Sequence, residues 1–144
     1  MATQTLSDKG GELVISFESF AYCFTSAKLK NPEVSDAATL AEVVGQPVKK
    51  VSTDWVLMLA TDEANAIGIV VQGPAISALA AGESTTEKYL ILTLGPAVVN
   101  QDVQAAADYE GTSFTNATVR TALGALAPKI LFVSEPTKTE EGTD

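Results

Sequence analysis

The chain has 144 residues, a formal net charge of −9 and no histidine, which suits one domain of ordinary size burying about 70% of its unfolded surface in a single core. With one arginine in so acidic a chain there is little capacity for bidentate phosphate or base contacts, so nucleic-acid binding is not expected. The missing histidine removes the commonest general base and zinc ligand, and a lone cysteine, Cys23, excludes an intrachain disulfide.

Residues 1–12, "MATQTLSDKGGE", are polar and carry Gly10-Gly11, which predicts an extended N-terminal arm. They lack the basic start and apolar run of a signal peptide, and no apolar stretch approaches the roughly 20 residues of a membrane span. The expectation is a soluble protein made in a cytoplasm, with no membrane partner. In "LVISFESFAYCFT" the residues Leu13, Ile15 and Phe17 share one parity and Phe20, Tyr22 and Phe24 the other, so a strand changes face at a bulge or corner near Glu18-Ser19. Cys23 reads as a small core residue.

"NPEVSDAATLAEVVGQP" fits two forms: a helix over Ala37 to Val44, capped by Ser35 or Asp36 and stopped by Gly45, or a loop leading into a short strand at Glu42 to Val44. The run Trp55 to Leu59 suits a strand covered on both faces, with Trp55 as a core anchor. Two further strands lie in "AIGIVVQGPAI" and "KYLILTLGPAVVN", with Glu83-Ser84-Thr85-Thr86 as the turn between antiparallel neighbours. Val103 to Ala107 forms either a short helix or an irregular excursion.

Thr115 or Asn116 then caps a helix whose apolar face is Val119, Ala122, Leu123 and Leu126, ended by Pro128. "KILFV", apolar throughout, predicts a central strand. Residues 136–144 are polar and acidic, composition typical of a disordered tail. The expected fold is α+β but mainly β: one small domain over residues 13–135, with a compact sheet or barrel-like body, one C-terminal helix, an extended arm and a disordered acidic tail.

No constellation for catalysis emerges. Asp62-Glu63 and Glu140-Glu141 are adjacent carboxylates in a turn and a tail, and sequence neighbours do not set the fixed separation that glycoside chemistry requires. Neither "GPA" is a phosphate loop, since the G-x-x-x-x-G-K-[ST] pattern is missing and proline removes an N–H donor. Both read as strand ends with a Gly-allowed bend. Asn116-Ala117-Thr118 reads as a helix cap rather than a glycosylation site, and no EF-hand loop occurs. Catalytic, cofactor and metal sites are therefore not assigned, and no enzymatic activity is expected.

The order of these elements resembles the head decoration proteins of tailed bacteriophages, the lambda protein D-like family. In that family "VxGxPVxKV", strands ending "A-x-GI-V" and "GPAVVN", a loose segment, an Ala/Leu-rich helix and a terminal strand follow a polar arm. Here "VVGQPVKKV", "ANAIGIVVQ", "LTLGPAVVN", "VRTALGALA" and "KILFVSE" take those places, across residues 11 to 135. The chain departs from the family in lacking a Trp-Pro pair in the loose segment, which reads "DYEGTSFTN".

The resemblance implies a non-enzymatic virion protein, without cofactor, that binds the major capsid protein on the outside of the expanded shell as a homotrimer. The arm and first strand, with Leu6, Leu13, Val14, Ile15 and Phe17, become the expected capsid contact, and Gly95, Pro96 and Asn100 the family-marker turn. An acidic body facing outward, with Lys9, Lys28, Lys30, Lys49 and Lys50 nearer the shell, completes the expectation. Two alternatives stand beside it: a tail-tube type assembly subunit, and a small ligand-binding or enzymatic domain with the two GPA turns as a pocket rim.

Overall fold

The computed structural model describes residues 13–32, 38–40, 43–58, 64–100, 117–126 and 128–133. Six strands form the largest sheet: β2 (Phe24–Ala27), β9 (Tyr89–Leu92), β7 (Gly68–Gln72), β5 (Pro47–Val51), β6 (Asp54–Leu57) and β3 (Leu29–Lys30), in that spatial order. A second sheet has β10 (Ala97–Asn100) between β1 (Val14–Phe17) and β11 (Ile130–Val133), and β4 (Ala38–Leu40) pairs with β8 (Ile76–Leu79) as a third. The described helices are the single turn α1 (Phe20–Cys23) and the eight-residue α2 (Ala117–Gly124). The fold is mainly β, with one helix longer than a turn near its C-terminal end.

The apolar runs of β7 and β9 follow from their place. Both lie inside the six-stranded sheet, and successive side chains on a strand face opposite ways. In β9, Leu90 and Leu92 join one core while Tyr89 and Ile91 join another; in β7, Ile69 and Val71 face the first and Val70 the second. The sheet is thus a wall between two cores, and a strand apolar on both faces has no polar alternation to show. The first core is closed by Leu13, Val14, Val99, Val119, Leu123 and Ile130, the second by Leu29, Val43, Val48, Leu57, Ile76 and Leu79.

Each Gly-Pro marks where the chain leaves the six-stranded sheet. After β7, Gly73 takes φ 156° with the Tyr89 ring packed where a Cβ would stand, and the chain passes to β8. After β9, the cis Gly95-Pro96 bond carries the chain into β10, where Gly95 N–H donates to Pro128 O at 3.0 Å. Proline ends the ladder because it has no N–H. Each GPA segment therefore joins two strands of different sheets. Because β8 intervenes, Glu83 to Thr86 lead from β8 into β9; β7 and β9 are nonetheless antiparallel neighbours.

Several local expectations change. The corner at Glu18-Ser19 is present, but Phe20 to Cys23 form a helical turn rather than strand, because Ser19 Oγ accepts from Tyr22 N–H at 3.3 Å as an N-cap. Phe17, Phe20 and Phe24 then meet, Phe17 edge-on to Phe24 at 4.9 Å and Phe20 stacked on it at 5.0 Å. In place of a helix to Val44 or a strand at 42–44, residues 38–40 form β4, and Val43 and Val44 are buried ahead of Gly45 at φ 96°.

A hairpin unmarked in the sequence joins β5 to β6 through Ser52-Thr53, with Ser52 at φ 57° and Val51 opposite Asp54. Primed two-residue turns need such positive φ, usually supplied by Gly or Asn. Helix α2 ends at Gly124, before Pro128 is reached. Strand β11 lies at an edge, parallel to β10, and not at a centre: Ile130 faces the core while Leu131 and Val133 are exposed. The expected arm, acidic tail, Leu6, the caps Thr115 and Asn116, the 103–107 segment and both carboxylate pairs lie outside the described residues.

Candidate interaction surface

The three-stranded sheet has one face on the first core and one face open. Pairing sets Val14 against Val99, Ser16 against Val98 and Phe17 against Ala97, so Ile15 is an extra residue in β1. Two residues of a bulged strand oppose one on the partner, which places Ile15 beside Ser16 across from Val98. On the other side Val98 pairs with Leu131 and Asn100 with Val133. The open face thus runs from Ile15 and Ser16 through half-buried Val98 to Leu131 and Val133.

Of the six large exposed hydrophobic residues among the described residues, four belong to this one small sheet: Ile15 (49%), Leu131 (48%) and Val133 (37%) on its open face, and Phe17 (38%) at the corner that follows. Singly exposed apolar residues are ordinary, whereas several on one face mark a contact surface. A cleft of about 330 Å³ opens on the same side, between Ser16, Glu18, Pro96, Val98, Pro128 and Leu131, with Lys129 also on its wall. Its shape depends on Gly95: a Cβ there would collide with the Lys129 carbonyl. Cys23 is buried beneath the corner, its thiol directed at Pro96 O at 3.6 Å.

The candidate contact residues divide accordingly. Ile15 and Phe17 are on the surface, while Leu13 (0%) and Val14 (5%) belong to the first core and are not available to a partner. Alternation explains this, turning Val14 inward and Ile15 outward, and the bulge then keeps Ser16 on the open face beside Ile15. Among the marker residues, Gly95 and Pro96 form the corner beside the cleft. Asn100 is buried (4%) and so is not an exposed contact. Leu131, Val133 and Pro128 were not foreseen here, because "KILFV" carries no period-2 signal by which an open face could be recognised.

β1 is terminal in its sheet, and among the described residues nothing pairs with its outer edge. Unpaired edge N–H and C=O groups can receive an extended segment of another chain. Among the described residues no helix is long and apolar enough to cross a membrane, and no three His, Cys, Asp or Glu side chains gather as a metal site. No family model, curated protein or solved structure matches the chain.

Proposed function

We propose that this protein is a non-enzymatic decoration subunit that binds the outer surface of an expanded bacteriophage capsid and reinforces the shell. The observation that carries the reading is the apolar open face of β1, β10 and β11, beside a β1 edge with which no described strand pairs. Such a surface suits a polypeptide partner, with main-chain bonds at the edge for affinity and side-chain contacts on the face for specificity. The capsid as partner rests on the family resemblance of the sequence, as does homotrimerisation, which would raise avidity by about 10²–10⁴ where all subunits engage together.

Co-sedimentation of the purified chain with undecorated, expanded shells of the cognate phage tests this. The full chain is expected to bind, and Ile15→Asp with Leu131→Asp to bind at least tenfold more weakly while still folding. Equal binding by the double variant would remove the face from the contact, and no binding by the parent chain would remove the function.

A further inference from the structure

On the second core's side of the six-stranded sheet, a cleft of about 230 Å³ opens between β8 and the strap 83–87 that leads into β9. Ile76, Leu79 and Tyr89 form its buried floor, and Glu83 and Glu87 stand on its exposed rim. The strap is pinned to β3 and the residue after it. Asn31 N–H donates to Glu83 O at 2.9 Å and Thr85 N–H to Leu29 O at 2.8 Å. Thr85 Oγ1 accepts from Leu29 N–H at 3.0 Å and donates to Glu87 O at 2.8 Å. Both carboxylates are thus carried on fixed backbone, which lowers the ordering cost of binding between them.

Tyr89 is the group that the fold leaves unused. Its ring packs in the second core against Gly73, 2% exposed, and phenylalanine would supply that packing equally. The Thr85 hydroxyl beside it makes two hydrogen bonds, whereas the Tyr89 hydroxyl has no partner among the described residues. A buried hydroxyl without a partner costs free energy. One that lines a cleft therefore points to a polar group entering that cleft.

The lining selects the charge of that group. Among the described residues no lysine or arginine lines the cleft, and Lys88, next to Glu87 in sequence, is not on its wall. Glu83 Oε1 accepts from Ala80 N–H at 2.8 Å, which leaves its other oxygen for a ligand. Glu83, Glu87 and Tyr89 thus offer three acceptors, and an ammonium carries three donors and no acceptor. Ala75, Ile76 and Leu79 supply an apolar wall of the kind a lysine stem covers. The volume is below the roughly 300–1,000 Å³ of pockets that hold drug-sized molecules, so one side chain fits better than a nucleotide or sugar. We propose that this cleft receives a lysine side chain of a partner polypeptide, its stem on Ile76 and Leu79 and its ammonium among Glu83, Glu87 and the Tyr89 oxygen. The cleft lies across the six-stranded sheet from the open face, so the inference is independent of the capsid reading.

Titration of the isotope-labelled full chain with N-acetyl-lysine methylamide, followed by amide chemical shifts at about 20 mM salt, tests it. Saturable shifts are expected at residues 75–76, 79 and 83–89. The uncharged norleucine analogue should bind about tenfold more weakly, since it lacks the charged hydrogen bonds. Glu87→Gln and Tyr89→Phe should each weaken the lysine analogue about fivefold while the remaining spectrum stays that of the parent. The lysine analogue should also bind more tightly than n-butylamine, because its amides meet the Ser84 and Thr86 hydroxyls on the rim. The absence of saturable shifts overturns the proposal, as do shifts that norleucine reproduces in full or that both variants leave unchanged. Equal binding of n-butylamine overturns the polypeptide as occupant in favour of a free amine.

Discussion

The same substitution, glycine to alanine, should have opposite signs at Gly95 and Gly124, because a new Cβ meets backbone at the first and ordinary contact at the second. At Gly95 the added Cβ meets the Lys129 carbonyl, a backbone atom with no rotamer to change. Regaining ordinary nonbonded separation requires the 95–97 corner and the 128–130 segment to part by roughly 1.5 Å or more. That movement stretches the Gly95 N–H bond to Pro128 O, 3.0 Å in the native fold, and disturbs the pairing of Ala97 with Ile130 that begins the β10-β11 ladder. Overpacking costs about 1–3 kcal/mol and the lost hydrogen bond about 1 kcal/mol, so Gly95→Ala should destabilise by about 2–4 kcal/mol. At Gly124 the nearest atom to a new Cβ is Ile130 O at 4.0 Å, ordinary contact, and the residue closes a helix in which alanine is preferred. Gly124→Ala should stabilise by about 0.5 kcal/mol. Urea unfolding with a shared slope measures both. A Gly95→Ala variant as stable as its parent would show that the corner does not touch Lys129, and the packing argument for the cleft would fall.

Three further outcomes follow from buried groups. Asn31 Nδ2–H donates to Leu79 O at 2.7 Å inside the second core, so Asn31→Ala should cost about 1–3 kcal/mol in urea unfolding. Leu123 is fully buried between α2 and the first core, and Leu123→Ala should cost about 3–5 kcal/mol, read as a lower unfolding midpoint. Burial, with the nearby Glu87 carboxylate adding to it, raises the Tyr89 phenol above its ordinary 10.0. A group raised in the folded state stabilises below its unfolded value and loses that contribution as pH climbs through the folded value. Tyr89 should therefore make unfolding easier above about pH 10, and Tyr89→Phe should flatten that part of the stability profile.

What the sequence could show depended on whether one residue's pattern was local. The α2 face, Val119 and Leu123, was legible because helical spacing repeats within eight residues. β7 and β9 were legible as strands but not as the wall between two cores, since an apolar run is the same whichever core each parity meets. Two turns escaped notice for lack of a marker residue: Ser52-Thr53 adopts a hairpin turn without Gly or Asn, and Ser19 converts an alternating aromatic run into a helical turn with one side-chain hydrogen bond. On the candidate surface, Ile15 and Phe17 were legible while Leu131 and Val133 were not. Their exposure is decided by which strand ends the sheet, a long-range fact.

The bulge at Ile15 joins the fold to the proposed contact. Without it, the alternation that buries Val14 against Val99 would leave Ile15 outward but put Ser16 on the core face and Phe17 on the open one. With it, Ser16 stays across from Val98 on the open face, and Phe17 turns toward the Phe20 and Phe24 rings that hold the corner. The extra residue therefore adds an aliphatic side chain to the open face without taking Phe17 away from the aromatic corner. A bulge also twists an edge strand away from indiscriminate pairing, so that a partner has to match its local shape as well as its hydrogen bonds. An exposed apolar face next to a shaped edge is a surface built for one fitting partner. Deleting Ile15 would restore plain alternation with Ser16 still across from Val98 and Phe17 still across from Ala97, so it should weaken the proposed contact while leaving the aromatic corner in place.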